Sequence, residues 1–326
     1  MVYFCFNFQS IMKKPPNICI IKNRSDIGAG TRGSDLGIDA LEIAAINSEN
    51  DFFNRHAFVD VLTHNESIYN KVQHSTAKRI NYVASQCDRV KKATKECLEK
   101  EFFPLVLSGD HSSALGTMAG IKTHWPNQNL GVIWIDAHAD LHTPFSTPSG
   151  NVHGMPLAAA LGNDNRQLMR NIVSDQTQKD WKKMKLLSNT IPIIRPEHLV
   201  YIGVRDVEVE EQTIMEQLKI KNFTVEQIRQ LGVKTSVQSI LKIMNSLDRI
   251  YLSFDVDSLD CEHVSRGTGT PVPNGFLPHE VIQLIKGFLQ SNKVVAFEVC
   301  EINPLLDNKG NRMAEAAFEV IDAVFN

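Results

Sequence analysis

Four short clusters of acid and imidazole side chains carry the chemistry of this chain: Ser108-Gly109-Asp110-His111, Asp136-Ala137-His138-Ala139-Asp140, Asp255-Val256-Asp257 and Glu298-Val299-Cys300-Glu301. In extended chain, side chains two residues apart point the same way. Asp136, His138 and Asp140 are therefore expected to converge, as are Asp255 and Asp257. Clustered aspartates repel one another strongly unless cations neutralise them. Two divalent cations balance four carboxylates, and two imidazoles complete a mixed N/O set. That set suits Mn²⁺ or Co²⁺, with Zn²⁺ or Fe²⁺ also compatible. Bridging carboxylates hold such a pair roughly 3.5–4 Å apart in two-metal hydrolases. A lone aspartate or histidine at a strand end is usually a turn residue or a helix cap. A DxHxD and a DxD on separate strands resist that plain explanation.

The elements that must position these groups are legible nearby. Each cluster follows a short apolar run: Pro104–Leu107, Gly131–Ile135, Ile250–Phe254 and Val294–Phe297. Asn17–Ile21 and Leu199–Val204 read as further strands. Helical stretches are expected at Asp39–Ile46, Lys78–Glu101, Glu208–Leu218, Val237–Leu247 and Pro278–Leu289. Strands alternating with helices imply an α/β protein with a mostly parallel sheet covered on both faces. Ligands of such sheets gather at the carboxyl ends of the strands, where the four clusters lie. The glycine-rich loop Gly28–Gly37 is not a GxGxxG opening a helix, which argues against a dinucleotide site. Asn163–Pro196 is the least patterned region and reads as a surface insertion.

The 326 residues allow a large core, with 43% hydrophobic and 22% charged residues. A net charge of −3 and the absence of long basic runs argue against a nucleic-acid partner. No stretch approaches the roughly 18 apolar residues of a membrane span. The six cysteines (Cys5, Cys19, Cys87, Cys97, Cys261, Cys300) are scattered, without a CxxC pair. That pattern suggests a reducing, cytoplasmic setting. Residues 1–16 are expected to form a tail, and 17–326 a single catalytic domain.

The chain resembles the ureohydrolase family, and within it the arginases. The matching segments are SGDHSSALG (108–116), WIDAHADLHTPFSTPSGNVHGMPLA (134–158), YIGVRDVE (201–208), SFDVDSLD (253–260), GTGTPV (267–272) and EINP (301–304). The resemblance implies a three-layer α/β/α sandwich, two Mn²⁺ per subunit with Co²⁺ as the alternative, and homo-oligomers, trimeric or hexameric. It implies His111, Asp136, Asp140 and Asp255 as ligands of one metal, and Asp136, His138, Asp255 and Asp257 as ligands of the other. Asp136 and Asp255 would bridge. It further implies Glu301 as the holder of a guanidinium group, by a bidentate salt bridge, and His153 as a proton shuttle. Those two and Asp140 make the catalytic set, and Thr270 lies near the substrate. Asp110 is not a ligand in the family, and Glu298 competes with Glu301 by position alone.

The reaction so implied is hydrolysis of L-arginine to L-ornithine and urea by a metal-bridging hydroxide. Agmatinases and other guanidino-substrate ureohydrolases share the core motifs and form the alternative. The loop Thr143–Gly154 separates them, because an α-carboxylate needs fixed donors. Ser149 and Asn151 supply donors, and Glu208 is an acceptor for an α-ammonium. Two residues depart from the common arginase pattern. Glu208 stands for a shorter aspartate, and His142 stands for an asparagine that contacts the carboxylate.

Overall fold

A computed structural model describes residues 17–72 and 74–326; the expected tail, 1–16, lies outside the described residues. Eight strands form one sheet: β1 (Ile18–Asn23), β2 (Ala57–Asp60), β3 (Phe103–Ser108), β4 (Leu130–Ile135), β5 (Leu199–Ile202), β6 (Lys221–Phe223), β7 (Arg249–Asp255) and β8 (Val294–Cys300). Their spatial order is β2-β1-β3-β8-β7-β4-β5-β6. Every pairing is parallel. The four strands that precede the acid and imidazole clusters are therefore contiguous at the centre, in the order β3-β8-β7-β4. Topology alone thus gathers four distant sequence segments at one edge of the sheet.

The central strands are apolar throughout because both sheet faces are covered. In β4, Ile133 and Ile135 pack into one core cluster, and Val132 and Trp134 into another. The helices Gly37–Asn47, Val233–Ile243, Pro278–Leu289 and Arg312–Phe325 cover the first face. Ile80–Glu99, Ala114–His124, Asp175–Lys185 and Val209–Leu218 cover the second. The result is the expected three-layer α/β/α sandwich. No helix among the described residues is long and apolar enough to cross a membrane.

Three details differ from expectation. β8 runs on to Cys300, so Glu298 lies inside the strand and not after it. β5 stops at Ile202, because Gly203 turns the chain with φ +89°. Part of the insertion is a packed helix, Asp175–Lys185, capped by Ser174, whose Oγ accepts from the Thr177 N–H. Its sequence is mostly charged, and only Trp181 and Met184 supply large apolar contacts to the core. Of its four buried residues, Thr177 and Asp180 are polar, so two large apolar side chains in eleven leave little periodic signal to read.

Candidate active site

Asp136 is the first residue beyond β4. Its Oδ1 accepts from the His138 N–H at 2.7 Å, which folds the next residues into a tight turn. Asp140 then takes a left-handed backbone, φ 51°. Strand alternation is therefore not what brings Asp136, His138 and Asp140 together. A side-chain-capped turn and one strained residue do so, and residues 136–140 are not extended chain. Asp255, the last residue of β7, caps a short turn by accepting from the Asp257 N–H at 2.8 Å. Glu301, just beyond β8, is also left-handed, φ 65°. A non-glycine residue held there costs on the order of 1–3 kcal/mol, and such residues cluster at functional sites.

Beyond β3, Asp110 accepts from the Ser112 and Gly28 N–H groups, both at 2.8 Å, and so pins the loop that presents His111. The His111 ring stacks on Trp134 at 3.9 Å, and its Nε2 meets Ser253 Oγ at 2.7 Å. Its Nδ1 faces Asp136 Oδ2 at 3.1 Å, Asp140 Oδ2 at 3.3 Å and Asp255 Oδ2 at 3.1 Å. On the other side, His138 Nδ1 lies 2.9 Å from Asp257 Oδ2 and 3.5 Å from Asp136 Oδ1. The two oxygens of Asp136 thus face two different histidines.

All six expected metal-ligating side chains are brought together. Asp136 belongs both to a group with His111 and Asp140 and to one with His138 and Asp257. His111 Nδ1 and Asp136 Oδ2 are buried yet make no hydrogen bond of acceptable geometry. Burial and mutual repulsion push Asp255 and Asp257 up, and the Asp140 carboxyl up to about 6. An orphaned imidazole nitrogen and carboxylate oxygen, within a His₂Asp₄ set, fit a pair of divalent cations.

Glu301 Oε1 accepts from the His111 N–H at 2.9 Å and faces His153 Nδ1 at 3.0 Å. Only Oε2 is left open, so the two-oxygen fork expected for a guanidinium is already half engaged. Glu298 is buried and accepts from Ser108, Thr117 and Tyr251. It does not line the cavity. Burial disfavours the charged His153 ring, but the Glu301 carboxylate outweighs it and brings the ring up to about 9. Thr270 Oγ1 donates to Asp257 Oδ2 at 3.3 Å, beside the cluster.

Above this floor opens a cavity of about 260 Å³, lined also by Ser149, Asn151, His142 and Glu208. Its size suits a small molecule. His142 Nε2 lies 3.1 Å from Glu208 Oε2 and 3.6 Å from Glu211 Oε2. Glu211 escaped the sequence reading. It is buried, and its Oε1 accepts from the Leu141 N–H at 2.8 Å. Its one sequence signal is a position three residues beyond Glu208, next to a helix start, where acids are common for the helix dipole alone. Asp206, Ser253 and Thr147 were also missed. Asp206 lies 3.7 Å from His138 Nε2, at salt-bridge range.

The family model described as "Arginase family" matches residues 17–326. The arginase of Bacillus subtilis (strain 168) is 32% identical over 309 residues, covering 94% of this chain and 97% of that relative. The solved arginase of Bacillus caldovelox superposes with a TM-score of 0.81 at 30% identity, covering 95% of this chain and 98% of that one. The Entamoeba histolytica arginase, solved with L-ornithine, gives 0.80 at 26% identity, covering 96% and 99%.

Proposed function

The chain belongs to the arginase family, and we propose that it hydrolyses L-arginine to L-ornithine and urea. The observation that carries this reading is Asp136, which turns one oxygen to each of two histidines within a buried His₂Asp₄ set. His111, Asp136, Asp140 and Asp255 would hold one cation, and Asp136, His138, Asp255 and Asp257 the other. Bound there, two Mn²⁺ (or Co²⁺) ions supply the positive charge that acidifies water near neutral pH.

The remaining work falls to the chain's own side chains. Glu301 Oε2 receives the guanidinium, while its Oε1 stays anchored to the His111 N–H. His153 keeps one proton on Nδ1 against Glu301 and offers a second on Nε2 to the departing amine. Its upward-shifted ring is charged at neutral pH and suits a general acid. At the mouth, Ser149 and Asn151 face the α-carboxylate and Glu208 the α-ammonium. The related Entamoeba enzyme was solved with L-ornithine, an α-amino acid carrying both groups.

We also read residues 17–326 as one catalytic domain that assembles with copies of itself, as a trimer or hexamer. Five described cysteines are free and buried, which fits a reducing cytoplasm.

Urea release from L-arginine and from agmatine, by protein loaded with Mn²⁺ or Co²⁺, tests the assignment. Arginine is expected to win by about a hundredfold or more in kcat/KM, because agmatine leaves carboxylate donors unpaired. Chelation should abolish turnover of both. A preference for agmatine would overturn the substrate assignment and leave the metal centre standing.

A further inference from the structure

The Thr147–Asn151 loop at the cavity mouth is contacted by a residue that does not line the cavity, Lys78. Ser149 Oγ already accepts from the Asn151 N–H at 3.1 Å. Thr147 Oγ1 accepts from the Gly150 N–H at 3.0 Å and the Ser149 N–H at 3.3 Å. Each hydroxyl has thus spent acceptor capacity on its own loop and keeps its O–H to give away. Asn151 is the ambiguous member, because an amide can present either an acceptor or two donors.

Lys78 removes the ambiguity. Its Nζ lies 3.0 Å from the Asn151 side-chain amide. An ammonium group donates and cannot accept, so the atom facing it must be Oδ1. The Nδ2 end then lies over Gly30, where a built Cβ would sit only 2.4 Å away. The segment around Lys78 is braced against the same loop. The Lys78 N–H donates to the Gly150 carbonyl at 2.7 Å. Gly150, at φ +76°, presses so closely on Ser75 that any side chain there would clash. On the other flank, Val152 and His153 donate their N–H groups to the Gly28 carbonyl. No carboxylate among the described residues pairs with the Lys78 ammonium, so its charge also remains available to an anion.

We propose that Lys78 is a specificity-positioning residue: by holding Asn151 Oδ1, it turns the Thr147–Asn151 loop into a donor-only cradle for the substrate's α-carboxylate. This rests on the reading of Asn151 as a carboxylate contact. Lys78 itself touches neither the reacting atoms nor the metal-ligating side chains.

The test compares two ligands that differ by the carboxylate, L-ornithine and 1,4-diaminobutane. Their dissociation constants are measured by calorimetry on the metal-loaded full chain and its variants, alongside kcat and KM for L-arginine. In Lys78→Met, ornithine is expected to weaken about tenfold and KM for arginine to rise similarly, while kcat holds within about twofold. Diaminobutane affinity stays put. Lys78→Arg, which keeps charge and donors, recovers most of the loss. Should the Met variant lose its cooperative melt, Lys78→Leu, which also removes both charge and donors, carries the same comparison. Equal weakening of both ligands, or no change in either, overturns the role of Lys78. A wild-type protein that binds ornithine no tighter than diaminobutane overturns the carboxylate assignment beneath it.

Discussion

The floor of the cavity and its mouth are held in place by different means. At the floor, main-chain donors clamp the acids. Asp136 accepts from the His138 N–H, Asp255 from that of Asp257, Asp257 from that of Ala137, and Glu301 from that of His111. Each clamp uses one oxygen and leaves the other pointing inward. At the mouth, His142 and Glu208 hold each other, and the Glu208 side chain is 51% exposed. The floor is therefore set by the backbone and is preorganised, as electrostatic catalysis requires. On the His142 side the mouth is set by side chains that hold one another, whereas its Thr147–Asn151 loop is pinned by main-chain donors much as the floor is.

The sharpest way to break this comparison is at Asp136. Asp136→Ala removes the one carboxylate that faces both histidines and also the clamp on the His138 turn. Turnover should fall by on the order of a thousandfold or more, since bound cations supply several kcal/mol of transition-state stabilisation. Metal analysis should show fewer than two ions per chain. A variant that kept two ions and ordinary turnover would sink the ligand assignment.

The same contrast explains what was legible in the sequence. The floor could be read because its residues are contiguous in short motifs, and because parallel strands deliver their carboxyl ends to one place. The α/β class followed from apolar runs such as Gly131–Ile135 alternating with amphipathic helices. Periodicity misled at Asp140, since a left-handed residue obeys no strand alternation. It also missed the edge strands β2 and β6. β2 is exposed and β6 is three residues long with one charge, so neither carries a buried apolar pattern. The mouth was read only in part. Glu211 hides in a run of helix-start acids, and Lys78 meets Asn151 across 73 residues of chain. Contacts of that kind are products of packing, and no local spacing announces them.

A smaller effect is expected at Glu208. Glu208→Gln keeps the shape but removes the charge offered to an α-ammonium. KM for L-arginine should rise by about three- to tenfold with kcat nearly unchanged, the signature of binding lost equally from ground and transition states. A fall in kcat with KM unchanged would mean that Glu208 acts on the floor, and the division between the two regions would fail.

The smallest effect belongs to Glu211, and it is read from stability. Burial pushes this carboxyl up; the His142 ring opposes that, and the hydrogen bond with Glu208 reinforces it, leaving Glu211 at about 8. Glu208 goes the other way, down to about 2, because it faces His142. The mouth therefore holds one ionised acid and one protonated acid at neutral pH. In the unfolded chain Glu211 titrates near its ordinary 4.5, so the folded state holds the proton more tightly. Its contribution is fully present below pH 4.5, declines as pH rises from there, and is lost once pH passes about 8. Glu211→Gln stays neutral throughout and can still accept from the Leu141 N–H. Thermal melts from about pH 5 to about pH 8.5 should show wild type losing ground to the variant by a few degrees. Parallel profiles would mean that Glu211 is ionised in the fold, and that two full negative charges, not a shared proton, hold the mouth open beside His142.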